Sequence, residues 1–273
     1  MIETAIAFLA GLLIGSFLNV CVYRLPRELS VVRPRSFCPQ CEKTIAWYDN
    51  IPVLSYLFLG AKCRYCRARI PFRYPLVELA TAAAFAVCVA ALGPTLAAVK
   101  YAIFSAILIT LIASDMEERI LPDEFTLGGT ALGLLLAIFV PLEPGWAFLL
   151  LPQALGTRWL SFAEAALAAG LSSGIIWLVG WLYQKLRHRE GLGFGDVKMI
   201  AMIGAFLGLK AALATLIMAS LFGSIAGLIY IFATRKDAST YELPFGSFLG
   251  SAALAIAMFG QVINGWYARM AGL

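Results

Sequence analysis

The sequence predicts an all-α membrane protein with about eight transmembrane helices and one small polar domain. Of its 273 residues, 61% are hydrophobic and only 14% are charged, against about 45–50% and about 25% in ordinary soluble domains. Several separate hydrophobic runs approach the roughly 20 residues that cross a bilayer. The mean hydropathy of +0.85 agrees. This composition excludes a soluble globular enzyme, a disordered chain and a secreted disulfide scaffold.

Eight hydrophobic segments are predicted to be helical, because backbone amides in lipid find partners only within helices or closed barrels. Their hydrophobic residues are continuous rather than alternating, which argues against a barrel. The run from Ala201 to Thr234 is too long for one span, so a tight turn is predicted near Gly208–Lys210. The segments are residues 2–23, 75–92, 97–114, 125–141, 162–183, 199–215, 216–234 and 247–267.

Lysine and arginine residues lie mainly on one side of these segments, which holds 17 of the 21. By the positive-inside rule that side is cytoplasmic and both termini lie outside. The cytoplasmic segments are residues 24–74, 115–124, 184–198 and 235–246. The outer segment 141–161 contains Trp146 and Trp159 and is predicted to lie along the membrane interface. The net charge of +5 is therefore explained by the orientation of the protein in the bilayer, and no nucleic-acid partner is expected.

Segment 24–74 contains two Cys-x-x-Cys pairs, Cys38 with Cys41 and Cys63 with Cys66. Two such pairs supply the four thiolates of a tetrahedral structural Zn²⁺ site. A cytoplasmic location favours metal over disulfides or a redox pair, because that compartment keeps thiols reduced. A filled sulfur shell leaves no open position, so a catalytic zinc is not expected. The segment is also too small for a self-sufficient core, and a metal would support it.

Ionisable residues within hydrophobic segments are costly and often functional. Asp115 closes the third segment, and Asp196 opens the sixth directly after Gly193-Phe194-Gly195, so the topology places both at the cytoplasmic edge. Two carboxylates in a semi-dry site share a proton, so that one activates water while the other donates to the scissile carbonyl. Gly193 and Gly195 would let a substrate backbone approach closely. The pattern is typical of aspartic peptide hydrolysis.

The residue types leave other roles open for these carboxylates. Asp196 could cap its helix, and Asp115 could be a helix end facing water. Asp123 competes with Asp115, although its place after Pro122 predicts the N-cap of the fourth segment. Glu78, one turn into the second segment, could reach the interface, pair with Arg73 or bind a polar ligand.

An ordered set of motifs resembles the bacterial type IV prepilin peptidases, which are GxGD membrane aspartic proteases that also N-methylate their product. The motifs are Gly15-Ser16-Phe17-Leu18-Asn19-Val20, Tyr23-Arg24-Leu25-Pro26, Trp47 to Tyr56 between the cysteine pairs, Tyr74-Pro75-Leu76-Val77-Glu78, Asp115 with Leu121-Pro122-Asp123, and Gly193 to Met199. The resemblance covers nearly the whole chain, except that the outer segment 141–161 is long for the family. It implies that Asp115 and Asp196 are catalytic, with Gly193 and Gly195 in the active-site loop, and it favours Asp115 over Asp123.

The resemblance further implies a two-step enzyme of the bacterial inner membrane. A prepilin or pseudopilin is cut at the cytoplasmic edge, and the new N-terminal residue is methylated from S-adenosylmethionine. No dinucleotide-type fingerprint marks a methyl-donor site, so Glu78 and segment 24–74 are candidates by resemblance alone. The implied domains are a first helix (1–23), a tetracysteine zinc domain (24–74) and a membrane peptidase domain (75–273).

Two other functions are open at this stage. A GxGD protease without methyltransferase activity, like the archaeal preflagellin peptidases, would resemble the chain only from Asp115 onward and would lack the cysteine pairs. A proton-coupled transporter could use the same carboxylates as a relay. Transporters often contain repeats and place such groups near the membrane midplane, and neither feature is visible here.

Overall fold

The computed structural model describes residues 1–187, 193–234 and 244–271 and confirms the all-α prediction for them. The predicted loops 184–198 and 235–246 lie partly outside these residues. The α-helices are α1 (Ile2–Arg24), α2 (Leu54–Phe58), α3 (Arg73–Leu92), α4 (Leu96–Glu118), α5 (Asp123–Phe139), α6 (Trp146–Leu150), α7 (Gly156–Arg187), α8 (Phe194–Leu207), α9 (Leu209–Thr234) and α10 (Phe245–Ala271). The chain divides into two compact units, Met1–Glu118 and Arg119–Leu273.

Five helices in the described part of the chain are long and hydrophobic enough to cross a membrane, namely α1, α3, α4, α7 and α9. They confirm a polytopic membrane protein. The predicted count of eight spans is not confirmed, because α5 has 17 residues, α8 has only 14, and α10 is counted as a shorter hydrophobic helix over Phe245–Gly260. At 1.5 Å per residue, α8 is about 21 Å long against a hydrocarbon core of about 30 Å.

The predicted turn in the long hydrophobic run lies at Gly208, between α8 and α9. Its φ of +82° is a conformation that glycine adopts without steric cost. The segment boundary predicted between residues 215 and 216 is wrong, since α9 continues without a break from Leu209 to Thr234. No glycine or proline stands near that boundary to end a helix.

The first unit, Met1–Glu118, is built on very close packing of α1 against α3. A Cβ atom on Gly11 would lie 2.6 Å from the Cα of Ala82, and one on Gly15 would lie 2.7 Å from the Cα of Glu78. The Gly-x-x-x-Gly spacing is a recurrent contact between membrane helices, because it lets two backbones touch. The helix α4 packs on both α1 and α3.

The polar segment between α1 and α3 contains little regular structure. Two 3-10 turns, Leu25–Arg27 and Trp47–Asn50, and the short helix α2 are its helical parts. Two isolated antiparallel bridges, Phe37–Thr44 and Lys62–Arg69, are its only β pairing. Each bridge encloses one of the Cys-x-x-Cys pairs.

In the second unit, α8 packs against α5 and α7. A Cβ on Gly204 of α8 would lie 2.7 Å from the carbonyl oxygen of Ala168 on α7, so this contact is also backbone to backbone. Segment 141–161 contains α6 and leads into α7. It is fastened by Glu164 of α7, which accepts a hydrogen bond from the N–H of Ala147 at 2.8 Å. Trp146 and Trp159 are exposed.

Candidate active site and metal centre

The four cysteines of the two Cys-x-x-Cys pairs come together. Their sulfur atoms all lie within 4.8 Å of one another, and the Sγ atoms of Cys38 and Cys66, one from each pair, are 3.8 Å apart. A disulfide requires about 2.05 Å. Tetrahedral Zn–S bonds of about 2.3 Å, by contrast, separate the sulfur atoms by about 3.8 Å. The cluster therefore has the ligands and the spacing to hold one metal ion.

Both cysteine pairs lie in the same kind of backbone loop. The residue after each second cysteine, Glu42 or Arg67, has a positive φ of 56° or 60°, and its N–H donates to the carbonyl of the first cysteine. The N–H of that first cysteine donates to a carbonyl five positions later, at 3.0 Å in one loop and 2.8 Å in the other. The two repeated loops direct their thiols to one centre.

Arg64, within the second pair, ties its loop to the turn Trp47–Asn50. It donates two hydrogen bonds to the carboxylate of Asp49, at 2.6 and 2.5 Å. These hydrogen bonds from Arg64 hold the pKa of the Asp49 carboxyl below its usual value. At the cluster itself, the backbone N–H of Cys66 lowers the pKa of the Cys63 thiol to about 7.

Asp115 is buried in the last turn of α4, with 5% of its surface exposed. Ion pairs on both sides hold this end of the helix. Glu117 accepts a hydrogen bond from Arg73 at 2.5 Å, and Glu118 pairs with Arg27. Because Arg73 begins α3 and Arg27 follows α1, the helix end that carries Asp115 is tied to both of its neighbours.

Asp196 is buried in the first turn of α8, with 9% of its surface exposed. The alternative role as a helix cap is wrong, because the N-cap is Gly193 and its carbonyl accepts the Asp196 N–H at 3.1 Å. A Cβ on Gly195 would lie 3.2 Å from the Leu121 side chain. The second glycine of the loop therefore allows α8 to pack against the Leu-Pro-Asp segment of the same unit.

Asp123 was predicted to be a helix cap, and this is wrong by one position. The N-cap of α5 is Pro122, and Asp123 is the first residue of the helix. Its carboxylate instead accepts a hydrogen bond from the Nζ of Lys198 at 2.6 Å. The motif that carries Asp196 and the Leu-Pro-Asp segment thus meet in the second unit at two points.

A cavity of about 400 Å³ lies in the first unit, lined by α1, α3, residues 49–56 and both cysteine loops, including Cys38 and Cys63. Asn19 and Glu78 are part of its wall, and so is Glu117, two residues beyond Asp115. Small-molecule sites usually have volumes of about 300–1,000 Å³. The cavity is therefore large enough for a small ligand and reaches the helix end that carries Asp115.

Glu78 is buried, and its carboxylate accepts a hydrogen bond from the backbone N–H of Val53 at 2.7 Å. Of the roles left open for Glu78, pairing with Arg73 is contradicted, because Arg73 pairs with Glu117. Residues five positions apart on a helix are rotated by about 140°. The two side chains therefore leave α3 on different sides.

Two buried polar atoms in the cavity wall have no hydrogen-bond partner among the described residues, Oδ1 of Asn19 and Nε of Arg73. The amide nitrogen of Asn19 is used, since it donates to the carbonyl of Tyr74 at 3.0 Å. Buried polar atoms are almost always paired. This unpaired acceptor and this unpaired donor are available to hydrogen-bond a polar ligand in the cavity.

Sequence comparisons cover both units. The profile described as Bacterial Peptidase A24 N-terminal domain matches residues 9–92, and the profile of the Type IV leader peptidase family matches residues 102–230. The chain belongs to the type IV leader peptidase family. The first profile spans the cysteine cluster and Glu78, and the second spans both candidate aspartates.

Relatives in this family carry the name "Prepilin leader peptidase/N-methyltransferase". A protein of Burkholderia pseudomallei is 35% identical, with 94% of this chain and 86% of the relative aligned. One from Aeromonas salmonicida is 32% identical, over 96% and 93%. One from Myxococcus xanthus is 39% identical over 84% of this chain, but that alignment spans only 63% of the relative's length. No solved structure matches the chain.

The predicted cysteine cluster comes together in the structure, but the contacts that hold the two candidate aspartates were not predicted from the sequence. Lys198 stands in the quoted Gly193–Met199 motif, yet its partner Asp123 is 75 positions away. The close contact of α1 with α3 could have been predicted from the glycine pair of α1, because the Gly-x-x-x-Gly spacing is known from contacts between membrane helices. Asp115 and Asp196 belong to different units, and their pairing stays a prediction.

Proposed function

We propose that this chain cleaves the leader peptides of prepilins or pseudopilins in a bacterial inner membrane and then N-methylates the new N-terminal residue. The observation that carries the proposal is the alignment of nearly the whole chain with relatives named for both activities. The membrane helices and the two buried aspartates at helix ends support it.

Asp115 and Asp196 are the proposed catalytic pair for peptide hydrolysis. Two carboxylates in a poorly hydrated site hold one proton between them. The ionised carboxylate takes a proton from water as its oxygen attacks the scissile carbonyl carbon, while the protonated carboxyl donates to the carbonyl oxygen. A proton then passes to the leaving amine as the C–N bond breaks. Both aspartates are needed, because neither alone supplies base and acid together.

The chain positions these groups through their helices. Asp115 depends on the ion pairs of Glu117 and Glu118 at the end of α4. Asp196 depends on the glycines at 193 and 195, which start α8 and let it pack on Leu121. Gly193 and Gly195 thus serve the active-site loop that the family resemblance implied.

The cysteine cluster is proposed to hold one structural Zn²⁺ through Cys38, Cys41, Cys63 and Cys66 as thiolates. The ion would join the two loops of segment 24–74, which lacks a large hydrophobic core. It leaves no open coordination position, so it takes no part in the chemistry. Part of this segment, including residues 49–56, forms the cavity wall.

The cavity beside Glu78 is the proposed site for S-adenosylmethionine. When bound, this cofactor supplies an electrophilic methyl group to an amine. Its fit rests on the volume of about 400 Å³ and on the unpaired polar atoms of Asn19 and Arg73. Because the cavity wall extends to Glu117, an N-terminus released beside Asp115 would lie close to it.

The charge distribution supports the orientation of the proposed enzyme. Seventeen of the 21 basic residues belong to segments on one side of the predicted helices, and this side is proposed to be cytoplasmic, with both termini outside. The ends of α4 and α8 that carry the aspartates then face the cytoplasm. A substrate leader on that side would meet them at the bilayer edge.

One assay tests the two activities separately. Purified enzyme is mixed with a prepilin and labelled S-adenosylmethionine, and leader cleavage and label incorporation are scored independently. We expect a shortened product that carries the label. Cleavage without label would identify a GxGD protease that lacks methyltransferase activity. Absence of both, in folded protein with several pilin and pseudopilin substrates, would overturn the proposal.

A further inference from the structure

The backbone at Val53 is strained. Its φ of 61° and ψ of −49° lie outside the regions that β-branched residues normally adopt. The N–H of Leu54 donates to the carbonyl of Pro52 at 2.6 Å, which closes a three-residue γ-turn of the rare type with positive φ. Such strain persists only where surrounding contacts hold it, and it is concentrated at functional sites.

Glu78 and Ser55 hold this turn from two directions. The carboxylate of Glu78 accepts the N–H of the strained residue itself, at 2.7 Å. The hydroxyl of Ser55 accepts the Ile51 N–H and donates to the carbonyl of Tyr48, both at 2.9 Å. Of these contacts, only the one from Glu78 comes from a membrane helix.

The position of Glu78 is itself fixed by helix packing. Its Cα would be only 2.7 Å from a Cβ placed on Gly15, so α1 and α3 touch through their backbones at this point. Glu78 is 7% exposed. A carboxylate anchored at a backbone contact and buried in this way can hold a loop in one place.

The strained turn forms part of the cavity wall. Wall residues from this stretch include Asn50, Ile51, Val53, Ser55 and Tyr56. Relaxation of Val53 to an ordinary conformation would reorient the peptide groups on both sides of it. The shape of the cavity therefore depends on the hydrogen bond between Val53 and Glu78.

We infer that Glu78 is a positioning residue for methyl transfer: its carboxylate holds the strained Pro52–Leu54 turn, and the turn shapes the cavity that takes the methyl donor. This inference rests on the proposed function, because it assumes that the cavity is the methyl-donor site. Glu78 then acts through the loop and does not touch the reacting methyl group. What it must supply is a hydrogen-bond acceptor, and its negative charge is not required.

The first test compares two substitutions of Glu78 in the full-length purified enzyme. Glu78→Gln keeps an oxygen that can accept the Val53 N–H, whereas Glu78→Ala removes it. For methylation of a cleaved pilin, we expect Glu78→Ala to raise the KM for S-adenosylmethionine by roughly tenfold or more. Glu78→Gln should stay within roughly threefold of the unsubstituted enzyme. Leu79→Ala, which shortens the exposed neighbour on α3, is the matched control.

The second test restores the turn without Glu78. Glycine populates positive φ freely, so adding Val53→Gly to Glu78→Ala removes the strain that the carboxylate opposed. We expect the double variant to recover a large part of the lost affinity for S-adenosylmethionine. A double variant no better than Glu78→Ala, or a Glu78→Gln variant as damaged as Glu78→Ala, would overturn the positioning role.

Hydrogen exchange of the peptide that covers residues 48–56 gives a readout that needs no bound ligand. Glu78→Ala should speed this exchange, and Glu78→Gln should leave it unchanged. If exchange is unchanged in Glu78→Ala while methylation is lost, the positioning role fails and the cavity assignment stands. If exchange rises but methylation keeps its KM, the turn is held as described but the cavity is not the methyl-donor site.

Discussion

The two units of the chain hold their buried aspartates in different ways. In the first unit, polar contacts between distant segments fix the end of α4, as in the pair of Arg73 with Glu117. In the second, α8 is placed mainly by contacts that require the absence of a side chain, at Gly195 and Gly204. Its ion pair from Lys198 goes to a carboxylate side chain that is 57% exposed.

This difference predicts different weaknesses. The first unit should be sensitive to the loss of one polar partner or of the metal, because removing either leaves charges or thiols without their counterparts. The second unit should tolerate changes of charge but not added volume at α8, because close-packed backbones cannot move apart cheaply. Substitutions that separate these two modes test the comparison.

The largest effect should come from the aspartates themselves, whichever unit holds them. Asp115→Asn and Asp196→Asn should each lower leader cleavage by at least roughly 10²–10⁴-fold, because each removes one partner of the proposed acid–base pair. Both variants should still methylate a pilin that has already been cleaved. Cleavage is measured on a purified prepilin, with insertion into membranes checked for each variant.

Asp123→Asn is the matched control for that experiment. It alters the rival aspartate, which is already used in the ion pair with Lys198. Its cleavage rate should stay close to that of the unsubstituted enzyme. An active Asp115→Asn variant together with an inactive Asp123→Asn variant would reverse the assignment.

Loss of a cysteine ligand should come next. Purified protein should contain about one zinc per chain, and Cys38→Ala should release it, because three thiolates bind structural zinc far more weakly than four. Methylation should fall with the metal, since segment 24–74 provides part of the cavity wall. Cys88→Ala is the control, because Cys88 packs among α3 and α4 residues away from the cluster. Mass spectrometry showing two disulfides and no zinc would exclude the metal site.

Added volume at the helix contacts should have an intermediate effect in both units. Gly15→Ala and Gly204→Ala each place a methyl group less than 3 Å from backbone atoms. Such overpacking should destabilise the protein by about 1–3 kcal/mol. Gly174→Ala adds the same group where no atom lies within 4 Å and should be neutral or stabilising. Thermal unfolding in detergent compares the three, and equal midpoints would contradict the close packing.

The sequence was sufficient for those features that depend on composition and short spacing. The hydrophobic runs predicted the all-α fold class. Gly208 marked the break before α9, and the spacing of the cysteines predicted their cluster. The boundary at residues 215 and 216 failed because span length was used to place it, whereas the helix breaks at Gly208, which has a positive φ. Length alone does not mark where a helix stops.

The contacts that hold the site could not be read in the same way. Glu78 meets the N–H of Val53, and Asp123 meets Lys198, across separations of 25 and 75 residues. A charged side chain has several partners within reach, and only the helix packing selects one. The alternative in which Glu78 pairs with Arg73 relied on nearness in sequence, which does not place two side chains on the same helix face.

Single ion pairs compare the units most directly, and the exposed pairs should have the smallest effects. Glu117→Gln breaks the pair with Arg73, whose side chain is only 13% exposed. It should cost about 1–3 kcal/mol, because it leaves a largely buried guanidinium without its carboxylate. Asp123→Asn breaks an exposed pair in the second unit and should cost about 0–1 kcal/mol.

Glu118→Gln is the matched control within the first unit. It breaks the pair with Arg27, in which both side chains are about one-third exposed, so its cost should resemble that of Asp123→Asn. Chemical denaturation of the three variants in one detergent measures how much each substitution lowers the free energy of unfolding. If Glu117→Gln is no more destabilising than the other two, burial does not strengthen the Arg73 pair. The end of α4 would then be held mainly by packing against α1 and α3, and the proposed contrast between polar and steric support would not hold.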